Sequence, residues 1–197
     1  MKSLNKYRNY IEAGIILIAL FGITFPLVNI TLHLIGTITI NFRLTDIFRN
    51  SHGDFLNDTF YLTTGDHPLS GVGLHIIVPF AAYILAIILL VVTLALTFTK
   101  KFKTLKIAFV LTATTLMIYA GIRIIAMPDT LIYYLEEILA DFIGEFAGFL
   151  TTMVDFSNTL EVNLGLGYWL TLIALLNLSI FLIVTRIIEY IQKKGSD

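Results

Sequence analysis

Residues 69–99 read LSGVGLHIIVPFAAYILAIILLVVTLALTFT, a run without one Asp, Glu, Lys or Arg. A helix that crosses the hydrocarbon layer needs about 20 apolar residues. This run is long enough, and it predicts a membrane helix over about Ile76–Phe98. Working outward, the same pattern recurs on both sides. About Tyr10–Val28 carries no acid or base after Glu12, about Leu105–Met127 holds after Lys106 one charge, Arg123, near its end, and about Leu166–Ile188 is charge-free through Thr185. The fold class read from the chain is therefore an all-α membrane protein. It is a four-transmembrane-helix bundle forming a single integral membrane domain over residues 1–197, with outer loops over about 29–75 and 128–165.

Composition agrees. Hydrophobic residues make up 57% and mean hydropathy is +0.86, against roughly 45–50% apolar in an average soluble protein. Charged residues are 14%, where about 25% is usual. This excludes a disordered chain, a nucleic-acid binder and an ordinary cytosolic enzyme. The net charge of −1 points to no partner, and the absence of cysteine removes disulfides, thiolate metal sites and cysteine nucleophiles together. The first apolar run has the basic start of a signal peptide (Lys2, Lys6, Arg8). Phe25-Pro26-Leu27-Val28 follows in place of a small-residue cleavage site, so the run is read as a retained helix.

Orientation follows from the bases. Lys2, Lys6 and Arg8 precede the first span, Lys100, Lys101, Lys103 and Lys106 link the second and third, and Arg186, Lys193 and Lys194 end the fourth. The other side holds Arg43, Arg49 and Arg123 with eleven of the fourteen acids, a balance of −8. Both termini are therefore expected in the cytoplasm, in a multi-pass plasma-membrane protein.

Outside, Asn29, Thr31, His33, Thr37, Thr39, Asn41, Arg43 and Thr45 alternate with apolar residues over two runs broken at Ile35-Gly36. Period two over this length predicts half-buried strands, and Pro26 ends or kinks the helix before them. Asp46–Gly73 reads as loop and turns, with a strand near Phe60–Thr63. In the second loop Leu131, Leu135, Ile138, Phe142, Phe146, Phe149 and Met153 recur at helical spacing, predicting an extracellular amphipathic helix. Its Glu137, Asp141 and Glu145 form an acidic stripe whose like charges need an offsetting partner. Asp129, just after Pro128, favours the helix start. Thr159–Leu164 alternates again and predicts a short strand able to join the first-loop sheet. Glycine pairs at the mouths of two helices, Gly71/Gly73 and Gly165/Gly167, read as strand-to-helix corners or as traces of a repeat.

For chemistry the candidates are few. His52, Asp54, Asp58, Asp66 and His67 are the metal candidates, set against ordinary turn chemistry, because their spacing matches no ligand motif. Haem between His33 and His75 conflicts with a strand position for His33, and no cofactor is expected. Arg123 and Asn177 are the polar residues inside apolar spans. Arg123 suits an ion pair with an outer acid such as Asp129 or a substrate role, and Asn177 an interhelix hydrogen bond. Thr112, Ala113, Thr114, Thr115, Ala120 and Gly121 give the third span a small face. No nucleophile elbow, zinc-protease motif or phosphate loop occurs.

Four helices with both ends inside, strands after the first helix and a strand before the last resemble the claudin-like tetraspan membrane proteins. The family's Trp/Gly-Leu-Trp and cysteine pair are absent from the first loop, and the only tryptophan is Trp169 at the start of the fourth span. The resemblance therefore lies in topology over nearly the whole chain, and no functional residue transfers. It implies a left-handed four-helix bundle capped by a small outer sheet, and work done through contacts between outer loops or with larger partners. The expected function is a non-enzymatic scaffold or accessory subunit in the lipid bilayer, as a homo-oligomer or within a larger membrane complex. The face of Leu131, Leu135, Ile138, Phe142, Phe146 and Phe149 would be its interaction surface. The alternatives are a homo-oligomeric cation-conducting channel, motivated by the acidic outer side, and a lipid-handling enzyme built around Arg123.

Overall fold

A computed structural model describes residues 2–33, 37–43, 70–99, 102–129 and 160–194. The elements run α1 (Lys2–Phe21), a 3₁₀ turn (Gly22–Thr24), β1 (Pro26–His33), β2 (Thr37–Arg43), α2 (Ser70–Thr97), α3 (Lys103–Ile125), β3 (Leu160–Leu164) and α4 (Leu166–Lys194). Among the described residues three helical stretches are long and apolar enough to cross a membrane: Ile77–Thr97, Lys103–Ile125 and Leu166–Lys194. α1 has the length but carries Lys6, Arg8 and Glu12 among its twenty residues. The four helices form a ring in which α2 packs on α3, α3 on α4, α4 on α1 and α1 on α2. Their inward stripes, including Ile16, Tyr83, Ala86, Leu90, Ala113, Met117, Ile124, Leu175 and Leu182, are essentially sealed from outside. Lipid offers no hydrophobic driving force between helices, so small residues and hydroxyls hold the ring. Thr114 and Ser179 meet hydroxyl to hydroxyl at 3.1 Å between α3 and α4, and the Tyr168 hydroxyl donates to the Met117 carbonyl at 2.8 Å. A Cβ at Gly121 would strike that tyrosine ring. Of the small face read on the third span, Ala113, Thr114, Ala120 and Gly121 are buried, while Thr112 and Thr115 face outward.

The boundaries differ from the sequence reading in two places. The first apolar run is helical only to Phe21, and its last residues, from Pro26 onward, belong to β1. Pro26 lacks the N–H a continuing helix needs, and extended backbone accepts its fixed φ at a strand's first position. α2 starts at Ser70, earlier than the apolar count suggested, so Gly71 and Gly73 lie within its first turn rather than in a corner ahead of it.

The strands form one antiparallel sheet in the order β2-β1-β3. Its register aligns Asn41, Asn29 and Asn163 in one row and Thr39, Thr31 and Glu161 in the next. Thr39, Asn41, Glu161 and Asn163 are exposed, while Val28 and Val162 are buried and Ile30 and Leu164 pack against the helical core. The alternation read in the sequence therefore has its physical cause: one face rests on the bundle, the other does not. A bulge between Pro26 and Val28 turns Leu27 inward as well as Val28. β3 passes into α4 through the single residue Gly165, whose amide donates to the Leu27 carbonyl at 2.8 Å. A Cβ at Gly165 would collide with the Pro26 carbonyl, and one at Gly167 with the carbonyls of Gly22 and Phe25. These two glycines allow backbone to touch backbone where sheet and bundle join. The strand near Phe60–Thr63, the helix over Leu131–Met153 and the turn at Ile35-Gly36 lie outside the described residues.

Candidate functional site

At the end of the bundle opposite the sheet, α1, α3 and α4 bring charges together inside an otherwise apolar packing. Arg8 and Glu12 are one turn apart on α1, so they share a face, and Arg8 Nε donates to Glu12 Oε1 at 2.7 Å. The other carboxylate oxygen of Glu12 accepts from Lys106 Nζ at 2.6 Å, from the first turns of α3. Glu12 is 1% exposed and Lys106 3%, which is deep burial for any charge. Such burial is tolerated only when each charge is paired and hydrogen-bonded. Arg8 continues through Nη1 to Glu189 Oε1 on α4 at 2.5 Å, and Lys103 Nζ reaches the same oxygen at 2.8 Å. Arg186 approaches Glu189 Oε2 at 3.4 Å from the preceding turn. The result is a chain of four cations on two carboxylates that ties three helices. It opens onto a cavity of about 350 Å³ lined by Arg8, Asn9, Thr97, Thr99, Lys103, Lys106 and Glu189.

Sequence reasoning used these bases to orient the chain and did not see the cluster. The signal available was Glu12, an acid inside an apolar run with a base one turn earlier, together with Lys103 and Lys106 opening the third span and Glu189 closing the fourth. An acid that enters an apolar segment needs a counter-charge from another helix, and bases at the same end of the bundle can supply it.

The polar residues that the sequence singled out stand elsewhere. Arg123 is in the last turn of α3, half-buried and engaged in contacts there, far along α3 from Lys106. Asn177 is exposed on α4 and donates to the Ile173 carbonyl of its own helix at 2.9 Å. The interhelix hydrogen bond expected of it is made instead by Thr114, Ser179, Tyr168 and Thr171, because Asn177 falls beside the buried stripe of Ala174, Leu175, Leu178 and Leu182. Among the described residues no group of three or more His, Asp or Glu side chains is placed to hold a metal. The metal candidates His52, Asp54, Asp58, Asp66 and His67, the acidic stripe Glu137, Asp141 and Glu145, and the apolar face from Leu131 to Phe149 lie outside the described residues. On the sheet, Glu161 accepts from Asn163 Nδ2 at 2.9 Å and lies 3.7 Å from His33 Nε2. The Asn163 hydrogen bond, helped by His33, holds the Glu161 carboxyl below the ordinary glutamate range.

Comparison of the chain with family models, with curated proteins and with solved structures returned no match.

Proposed function

We propose that this protein is a non-enzymatic membrane scaffold or accessory subunit that assembles with other protein chains through the sheet end of its bundle. In this reading α1 is a fourth membrane-spanning helix, both termini are cytoplasmic, the membrane is the plasma membrane, and the plan is that of a claudin-like tetraspan. The observation that carries the reading is the joint between sheet and helices. β1 follows α1 after one short 3₁₀ turn, and β3 enters α4 through Gly165 alone. The exposed side chains of Thr39, Asn41, Glu161 and Asn163, which flank the half-buried Thr31 and Asn29 of the central strand, are thus displayed on a support with no linker. A preorganised surface loses little freedom on binding, which favours its use for recognition. Exposed amides, hydroxyls and a carboxylate suit hydrogen-bonded contact with another protein, and the apolar face read over Leu131–Met153 adds apolar contact area.

The test is the mass and composition of the particle after gentle extraction into lipid nanodiscs. A defined assembly that dissociates with Thr39→Arg and Asn41→Arg, or with Phe142→Glu, while helix content is kept supports the reading. A bare monomer overturns it. A homo-oligomer that conducts cations in planar bilayers would replace it with the channel reading.

A further inference from the structure

We infer that the cavity at the charged end of the bundle is a binding site for a phosphate-bearing anion, either the headgroup of an anionic lipid or a soluble phosphate. The inference is independent of the assembly reading, since it concerns the opposite end of the molecule.

Charge is the first argument. Glu189, the carboxylate on the cavity wall, is already contacted by Arg8, Lys103 and Arg186, and Glu12 behind the wall by Arg8 and Lys106. Among the described residues three cations, Arg8, Lys103 and Lys106, line the cavity against the one carboxylate of Glu189, and Lys103, 43% exposed, carries the excess charge at the mouth, where an anion can reach it. Donor capacity is the second. An ammonium carries three N–H donors and a guanidinium five, and among the described residues Lys103 and Lys106 each spend one, on Glu189 and Glu12. The backbone adds to this. α3 begins at Lys103 with no side-chain cap from Phe102 and no acid in its first turn, and its first intrahelical bond is from Lys106 N to Phe102 O. The leading amides of a helix in that state favour negative charge.

Depth is the third argument and selects phosphate chemistry over other anions. Exposed aromatic residues, Tyr10, Phe98, Phe102 and Tyr190, surround this end, and Tyr10 packs edge-on to Phe98 with ring centroids 6.1 Å apart. Trp169 is exposed at the other end of α4. From Trp169 to Tyr190 the helix rises roughly 32 Å at 1.5 Å per residue, close to the ~30 Å hydrocarbon thickness. Aromatic residues mark the headgroup level, so the cavity opens at the depth of lipid phosphates. Basic pockets between helices at that level are suited to anionic headgroups.

The experiment uses the full chain in nanodiscs of phosphatidylcholine with phosphatidylglycerol, read by native mass spectrometry for retained lipid. In parallel, inorganic phosphate is titrated into nanodiscs of phosphatidylcholine alone, followed by phosphorus NMR line broadening. Lys103→Gln is the variant, chosen because its side chain is 43% exposed and Glu12 keeps both its buried partners without it. Lys194→Gln, exposed at the end of α4, is the control for general surface charge. Phosphatidylglycerol retained in preference to phosphatidylcholine, falling about five-fold in Lys103→Gln and unchanged in Lys194→Gln, establishes the site with lipid as the source. Phosphate broadening that depends on Lys103 but not Lys194 establishes it with a soluble source. No preference in either arm overturns the inference, and so does an equal fall in both variants.

Discussion

Removing Lys106 should expose how much the bundle depends on its buried charges. Lys106→Met keeps the volume of the stem but leaves Glu12, 1% exposed, with Arg8 as its remaining described partner. At the observed 2.6 Å separation, the Coulomb attraction is about 6 kcal/mol at an effective dielectric constant of about 20. Most of that offsets the desolvation of the two groups, and breaking a buried pair from one side costs about 3–5 kcal/mol. Because Arg8 Nε still contacts Glu12 at 2.7 Å, the lower end applies, about 3 kcal/mol. For a chain of this size that is a fall in Tm of roughly 6–12 °C. The double variant Glu12→Leu with Lys106→Met removes both charges, and apolar replacements of such pairs are about neutral. It should recover at least half of the loss, since Arg8 retains Glu189. Thermal unfolding of the three proteins in matched nanodiscs, followed by near-ultraviolet circular dichroism, checks this. A single variant within 1 °C of the parent refutes the energetic importance of the pair. A double variant no better than the single refutes the coupling.

Other outcomes follow from the joint, the helix contacts and the sheet. Gly165→Ala should force β1 and the start of α4 apart, because its Cβ meets the Pro26 carbonyl rather than a movable side chain. The expected cost is about 1–3 kcal/mol, seen as a drop in Tm together with faster proteolysis at the sheet. Thr171→Val removes the hydroxyl that donates to the Ala19 carbonyl at 3.0 Å and to Gly167 O at 2.9 Å. An interhelical hydrogen bond of this kind is worth about 0.6 kcal/mol, so Tm should fall by roughly 1–2 °C, and no change would show the bond contributes nothing. The Glu161 carboxyl should titrate below 4.5, and its stabilising effect should be complete above that value and fade as pH falls through the lowered midpoint. Carbon-detected NMR should show Asn163→Ala moving that midpoint upward, and an unmoved midpoint would refute the hydrogen bond as the cause.

Much of the fold was legible because each part of it has a period or a composition that solvent enforces. The run 69–99 could only be buried or in lipid. The alternation from Asn29 to Arg43 and from Leu160 to Leu164 gave strand, facing and the joining of β3 to the sheet, since one face had to rest on something apolar. What was not legible depends on three-dimensional neighbours. Glu12 and Lys106 are 94 residues apart in sequence, and Arg8 and Glu189 are 181 apart, so no local pattern joins them. Asn177 lies one residue from the buried Leu178, and helical rotation by one position decides whether an amide faces a neighbouring helix or the exterior. The end of α1 was displaced because hydropathy continues through Leu27-Val28 while Pro26 changes the backbone beneath it.

The same long separations set an order of events during synthesis. α1 is made first, yet the carboxylate that completes the coordination of Arg8 is the 189th residue. At about 5–20 residues per second, the interval between them is roughly 10–40 s. For about the first half of it Arg8 and Glu12 have only each other; Lys106 of α3 then becomes available to Glu12, and Glu189 of α4 reaches Arg8 only at its end. The charged turn of α1 therefore stays incompletely paired until the last helix is made. Completion of the charge network is thus the last step of assembly, and a chain truncated before α4 would leave Arg8 and Lys103 without the carboxylate they share.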